Sequence, residues 1–182
     1  MLPARPGLVQ ASGGRGEKVV LLFLKNLLFT VIVPGTVAVY VPLGLAAGRA
    51  GPPFGWGVAQ TTALLPLITG GAFYFWCLWD FASFGRGTPA PIDAPGRLVV
   101  RGLYRHVRNP MYVGVLLVIA GWALFLESWL ILGYGAVVAL VFHLFVAAVE
   151  EPSLRGKFGD AYERYCREVG RWVPKAGRTR AA

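Results

Sequence analysis

Apolar residues fill four long stretches of the chain, roughly 19–47, 58–84, 111–126 and 129–149, and the polar residues gather between them. Each stretch is about long enough for an α-helix to cross a hydrocarbon core near 30 Å. Glu127 and Ser128 part the last two stretches, which predicts a tight helical hairpin. Pro34, Pro42 and Pro66 fall inside the first two. Spanning helices tolerate proline better than soluble ones do, and Pro34 and Pro66 are expected to kink theirs. Beyond the fourth stretch, Tyr162, Tyr165, Cys166 and Val169 recur at i, i+3, i+4 and i+7, the apolar face of one more helix. Pro152 and Gly156 predict a break before it, with Asp160 capping its start. The fold class expected is therefore all-α: a polytopic membrane helical bundle of about four transmembrane helices, followed by a C-terminal amphipathic helix on the cytoplasmic side.

Composition agrees with this pattern. Of 182 residues, 55% are apolar and only 15% charged, too greasy for a soluble domain of one-domain length. The net charge of +9 is not spread evenly. With four spans, all of the 18 Lys and Arg residues except Arg49 fall on one side, counting Lys25 with the N-terminal flank. That asymmetry is the positive-inside pattern and predicts an integral membrane protein, of the cell inner membrane, with both termini cytoplasmic. It absorbs the basic charge, so nucleic acid is not expected as a partner, whereas anionic membrane lipids are. The expected organisation is an N-terminal tail over 1–18, a membrane domain over 19–174 and a basic tail over 175–182. Residues 1–18 do not resemble a cleaved signal peptide, because the apolar run after them is long enough to stay as a span. Cys77 lies in a span and Cys166 beyond the last one, so no disulfide is expected between them. Two Cys and two His, widely spaced, carry no metal-ligand pattern.

Polar chemistry collects on the basic side. Residues 85–110 form a long loop whose start, with Pro89, Pro91 and Pro95, is irregular. Asn109 and Pro110 suit the N-cap and first position of the third span. This sets a helix N-terminus, with unpaired N–H groups and partial positive charge, beside Arg105, His106 and Arg108. The site would welcome a carboxylate, although arginines here can equally snorkel to lipid phosphates. Glu150 and Glu151 end the fourth span, where a carboxylate is costly without partners. Adjacent helical residues point about 100° apart, so one of the two at most is expected to face the interior. His143 precedes Glu150 by seven residues on nearly the same face and either lines a cavity or makes an interhelical hydrogen bond. Asp80, near the end of the second span, is placed to pair with an arginine of the following loop.

Two motifs go further. "GRLVVRGLYRHVRNPMYVG", followed after a hairpin by "EEPSLRGKFGDAYERYCREVGRWVP", resembles the isoprenylcysteine carboxyl methyltransferase family and the related membrane phospholipid methyltransferases. The resemblance covers about residues 96–174; the first two spans match only as apolar helices. It implies an integral membrane enzyme that transfers a methyl group from S-adenosyl-L-methionine to a lipophilic or small membrane-accessible acceptor, with the cofactor at the cytoplasmic end of the bundle. The implied cofactor shell comprises Gly96, Arg97, Leu98, Val99, Tyr104, Asn109, Pro110, Met111, Tyr112 and Glu150, with Glu151 completing the pair. Arg105, His106 and Arg108 join it on the physical argument above, with Arg108 and His143 as the groups nearest the chemistry and His143 expected to touch the acceptor.

One departure bears on the acceptor. Carboxyl methyltransferases of this kind hold the substrate carboxylate with an arginine shortly before the paired glutamates, and here that position is Val146. A phospholipid amine or a small thiol is therefore an alternative acceptor to a prenylcysteine carboxylate. A scaffold or transporter that kept the fold is the non-enzyme alternative.

Overall fold

The computed structural model describes residues 24, 27–47, 56–81, 83 and 98–175. They form an all-helical bundle. Three helices are long and apolar enough to cross a membrane: α1 (Leu27–Ala46), α2 (Val58–Asp80) and α4 (Trp129–Phe158). Between the last two lies α3 (Pro110–Phe125), shorter at 16 residues. At 1.5 Å per residue it is about 24 Å long, less than a full hydrocarbon core. The expectation that all four stretches are of spanning length is corrected here. Pro110 sets the start of α3, and Glu127, in the left-handed region at φ 46°, turns the chain directly after it. Ser128 then caps α4, its Oγ accepting from the Ile131 N–H. The tight hairpin expected at Glu127–Ser128 is present.

Buried Gln60, in the first turn of α2, braces that hairpin. Its Nε2 donates to Glu127 Oε1 at 3.0 Å and to the Phe125 carbonyl at 3.3 Å. Helices α2 and α3 meet most closely at Gly70 and Gly114. A Cβ on Gly70 would stand 2.6 Å from the Gly114 carbonyl oxygen, and one on Gly114 would stand 2.8 Å from that of Gly70. Small residues permit this approach, and dispersion packing rather than water expulsion drives it inside a bilayer. Around the crossing, Tyr74, Val115, Ile119, Ala123, Ile131 and Val138 form the core together with Ala38 of α1.

Two prolines are absorbed by one device. In α1 a π-helical turn at Thr36–Tyr40 lets the Val41 N–H bond back to the Thr36 carbonyl, just before Pro42. In α4 a π-helical turn at Val146–Glu150 does the same, the Glu151 N–H reaching the Val146 carbonyl just before Pro152. Widening by one residue relieves the ring's clash with the preceding turn, so the helix continues. The break expected at Pro152 and Gly156 is thus displaced. α4 runs on to Phe158 and ends at Gly159, whose φ of 50° favours glycine. The next helix, α5 (Asp160–Glu168), takes Gly159 as its N-cap, and Asp160 is its first residue rather than its cap. Tyr162, Tyr165 and Val169 are buried together, as the spacing requires.

Candidate functional site

One end of the bundle brings together the N-terminus of α3, the last turns of α4, α5 and the segment that follows it. A one-turn 3₁₀ helix (Gly102–Arg105) leads into this region. Gly102, at φ 52°, is pressed against Asp80, and a Cβ there would collide with Oδ2. Asp80 itself is buried and pairs with Arg101 at 3.3 Å, the loop arginine expected for it.

These elements enclose a cavity of about 120 Å³ inside a cleft whose space, open mouth included, is about 750 Å³. Its lining includes Leu98, Val99, Tyr104, Arg108, Asn109, Met111, Tyr112, Glu150 and Glu151 from the residues that sequence reasoning singled out. Pro110 is buried as the first residue of α3 without lining the cavity. Arg105 and His106 are exposed and stand outside it. The reason is the 3₁₀ turn: three residues per turn face Tyr104 and Val107 inward and leave the two between them outside. Gly96 and Arg97 lie outside the described residues. His143 is not brought to this cavity. It lines a neighbouring apolar recess, where its Nδ1 accepts from the Trp172 indole N–H at 3.1 Å.

The two adjacent carboxylates have different fates. Glu151 is buried and nearly saturated: Arg171 grips it with Nε–Oε1 at 2.6 Å and Nη2–Oε2 at 2.9 Å. Arg108 lies at 3.2 Å and Arg155 at 3.4 Å from it. The bidentate bond to Glu151 raises the Arg171 guanidinium above its ordinary range, so it stays cationic. Glu150 is half-buried, and Tyr112 donates its hydroxyl to Glu150 Oε1 at 2.5 Å. No arginine pairs with it among the described ion pairs. Only Glu151 is buried, as the 100° separation demands, yet both carboxylates edge the same cavity.

Arg108 is the second unusual group. Its Nη1 serves Glu151 and donates to Cys166 Sγ at 2.6 Å, while its Nε is buried with no hydrogen-bond partner. Beside it, the α3 N-terminus has no side-chain cap, because Asn109 turns its amide to the Arg171 carbonyl instead, at 3.2 Å. An orphaned guanidinium N–H and an uncapped helix start therefore share one corner of the cleft.

The remaining walls are apolar and aromatic: Phe81, Val146, Leu154, Phe158, Tyr162 and Tyr165. Tyr165 donates its hydroxyl to the Tyr104 carbonyl at 2.7 Å and so ties α5 to the 3₁₀ turn. Burial drives the Tyr104 phenol well above its usual range, and burial followed by neighbouring Cys166 does the same for Tyr162, so both remain neutral. The segment after α5 closes the side. The Arg108 N–H donates to the Gly170 carbonyl at 2.8 Å, and a Cβ on Gly170 would collide with Val173. Sequence reasoning did not single out Phe81, Leu154, Tyr162, Tyr165 or Arg171 for the site. Leu154 and Phe158 follow Glu150 and Glu151 at helical spacing, a signal already in the second motif. Arg171 lies in the same motif, but nothing in its spacing reveals a grip on Glu151.

Comparison with known proteins agrees with this geometry. The family model for phospholipid methyltransferases matches residues 58–161, more than half of the chain. A protein of Haemophilus influenzae, described as uncharacterized, is 40% identical over 63 residues, which cover 35% of this chain and the whole of that relative. No solved structure matches the chain.

Proposed function

Because this chain belongs to the phospholipid methyltransferase family and is thus a membrane enzyme that uses S-adenosyl-L-methionine, we propose that it methylates the amine of a membrane phospholipid. The observation that carries the choice of acceptor is Val146. It is buried in the cleft wall, at the position where the carboxyl methyltransferases that this chain resembles carry an arginine for the acceptor carboxylate. Arg108, the arginine in the cleft lining, engages Glu151 through Nη1, and the nearby Arg171 grips the same carboxylate. With Arg108 and Arg171 so engaged, the described cleft lining offers no further arginine to an acceptor carboxylate. A phospholipid amine is favoured over a prenylcysteine carboxylate on these grounds.

The residues present fit the cofactor in kind. Arg108 Nε and the uncapped N–H groups of α3 suit its methionyl carboxylate. Glu150 suits its ammonium or ribose hydroxyls, and Tyr104, Tyr112 and Phe158 offer aromatic faces to its adenine and sulfonium. The cleft with its mouth is of small-molecule size, but the enclosed part is below the roughly 300–1,000 Å³ of ligand clefts, so the ligand extends into the mouth or its walls part.

When bound, S-adenosyl-L-methionine would supply a methyl group activated by its attachment to a sulfonium. The chain's part is alignment and exclusion of water. Arg108 and Glu150 would hold the carboxylate and the ammonium of the cofactor's methionyl group, and so orient it. Phe81, Leu98, Val146 and Leu154 keep the cavity dry. An ammonium acceptor must shed its proton before attack, and that proton passes to water at the open mouth.

Detergent-purified protein with 1 mM S-adenosylhomocysteine is expected to melt several degrees higher, through mass action on the folded state. Incubation of the enzyme with methyl-labelled cofactor and extracted membrane lipids is expected to label an amine phospholipid. Label found instead in a carboxyl ester or thioether would overturn the acceptor assignment and leave the methyltransferase standing.

A further inference from the structure

Beside the cleft lies the recess that holds His143. Its walls are Val113, Leu116 and Leu117 of α3, Ala139 and His143 of α4, and Trp172, and its volume is about 420 Å³. We propose that this recess seats the acceptor phospholipid, with His143 Nε2 donating to its phosphate. This inference rests on the amine-phospholipid reading above and adds where that lipid lies and what holds it.

Three observations carry it. The first is the tautomer of His143. The Trp172 indole only donates, so Nδ1, which accepts from it, is the unprotonated nitrogen. The ring proton therefore sits on Nε2, and His143 presents a donor. Trp172 serves only the Nδ1 edge, and an N–H donor exposed within a spanning helix is costly unless it too meets an acceptor. A phosphodiester oxygen meets that need, and an ammonium does not.

The second is continuity. Tyr112 lines the cofactor cleft, and its ring packs on Phe142 at 4.5 Å and on Trp172 at 6.4 Å between centroids. Tyr112 on the cleft side and Trp172 on the recess side thus stand ring against ring between the two spaces.

The third is order along the helices. Leu117, Leu116 and Val113 lead to Tyr112 along α3, as Ala139 and His143 lead to Glu150 along α4. Both sequences run from apolar side chains in the bilayer to polar groups at the cleft. A phospholipid of the adjacent leaflet has the same order: acyl chain, phosphate, amine. The seven residues from His143 to Glu150 rise about 10 Å. With its phosphate at His143, the lipid's two-carbon bridge carries the amine from there toward the cleft.

Ala139→Phe and Val113→Phe fill the recess from opposite helices without touching the cofactor cleft's polar groups. Each is expected to raise KM for a long-chain amine phospholipid at least tenfold, with cofactor Kd within twofold of wild type. Each should also lose the bound lipid in native mass spectrometry. Retained cofactor affinity certifies the fold, and if one variant lacks it the other carries the test. His143→Leu is expected to raise the same KM about tenfold, and His143→Gln, which keeps a donor near Nε2, to stay within threefold. Wild-type KM and lipid retention in both filling variants would overturn the recess as the lipid site. Equal KM in His143→Leu and His143→Gln would overturn the phosphate contact. A wild-type enzyme that turns over no amine phospholipid, while lipid binding is still lost in the filling variants, would refute the acceptor chemistry and not the recess.

Discussion

Glu150 and Glu151 are neighbours with the same side chain, and the fold assigns them opposite tasks. Glu151 is buried among Arg171, Arg108 and Arg155, and its carboxylate locks the C-terminal segment onto α4. Glu150 holds only the Tyr112 hydroxyl and faces the cleft. Glu150→Gln should therefore weaken cofactor affinity at least tenfold by calorimetry while leaving the melting temperature near wild type. Unchanged affinity with lost turnover would move Glu150 from the cofactor to the acceptor. Arg171→Ala should instead lower stability by about 1–3 kcal/mol, because it strips a bidentate partner from a buried carboxylate that two more distant arginines only partly satisfy. A melting temperature unchanged in detergent would sink that assignment. The pair "EE" is legible in the sequence as a boundary feature. Which of the two is satisfied internally is not, because Arg171 reaches back across twenty residues of chain.

At the scale of elements, the closest contact is the crossing of α2 and α3. A Cβ on Gly114 meets backbone on the far side, the Gly70 carbonyl at 2.8 Å and the Tyr74 N at 3.0 Å, and backbone cannot step aside as a side-chain tip can. Gly114→Ala should destabilise the bundle by about 1–3 kcal/mol, the usual range for overpacking. Gly71→Ala is the matched control. A Cβ there meets nothing within 4 Å, so the change should be neutral or slightly stabilising through helix propensity. Equal melting temperatures for the two variants would rule out the crossing as a packing constraint. Helix starts and stops were readable where local chemistry sets them: Asn109–Pro110, and Ser128 after Glu127. The end of α4 was misplaced because Pro152 reads as a breaker, and the π turn that absorbs it is a backbone choice with no residue signature.

Across the whole molecule, the cleft's polar groups lie at the end that carries the Lys and Arg side chains of the described residues. The positive-inside expectation makes this the cytoplasmic end. Orientation is testable with single cysteines in a Cys166→Ala background. Glu168→Cys on α5 should react with a membrane-impermeant maleimide in inside-out vesicles, and Trp129→Cys, at the hairpin, in right-side-out ones. The reverse pattern would invert the topology and with it the positive-inside assignment.

The sequence by itself determined the helical membrane architecture, the hairpin and the two motifs that meet at the cleft. Each of these is written in local chemistry: apolar length, charge count, cap residues and adjacent carboxylates. Only the tertiary structure decided that Glu151 is a structural anchor, that Arg105 and His106 face out of the cleft, and that His143 belongs to a second cavity. These outcomes depend on the 3₁₀ turn, on Arg171 and on Trp172, groups brought close by the return of the chain after α5. Periodicity reports which face a residue occupies on its own helix, and it carries no record of which distant segment comes to cover that face.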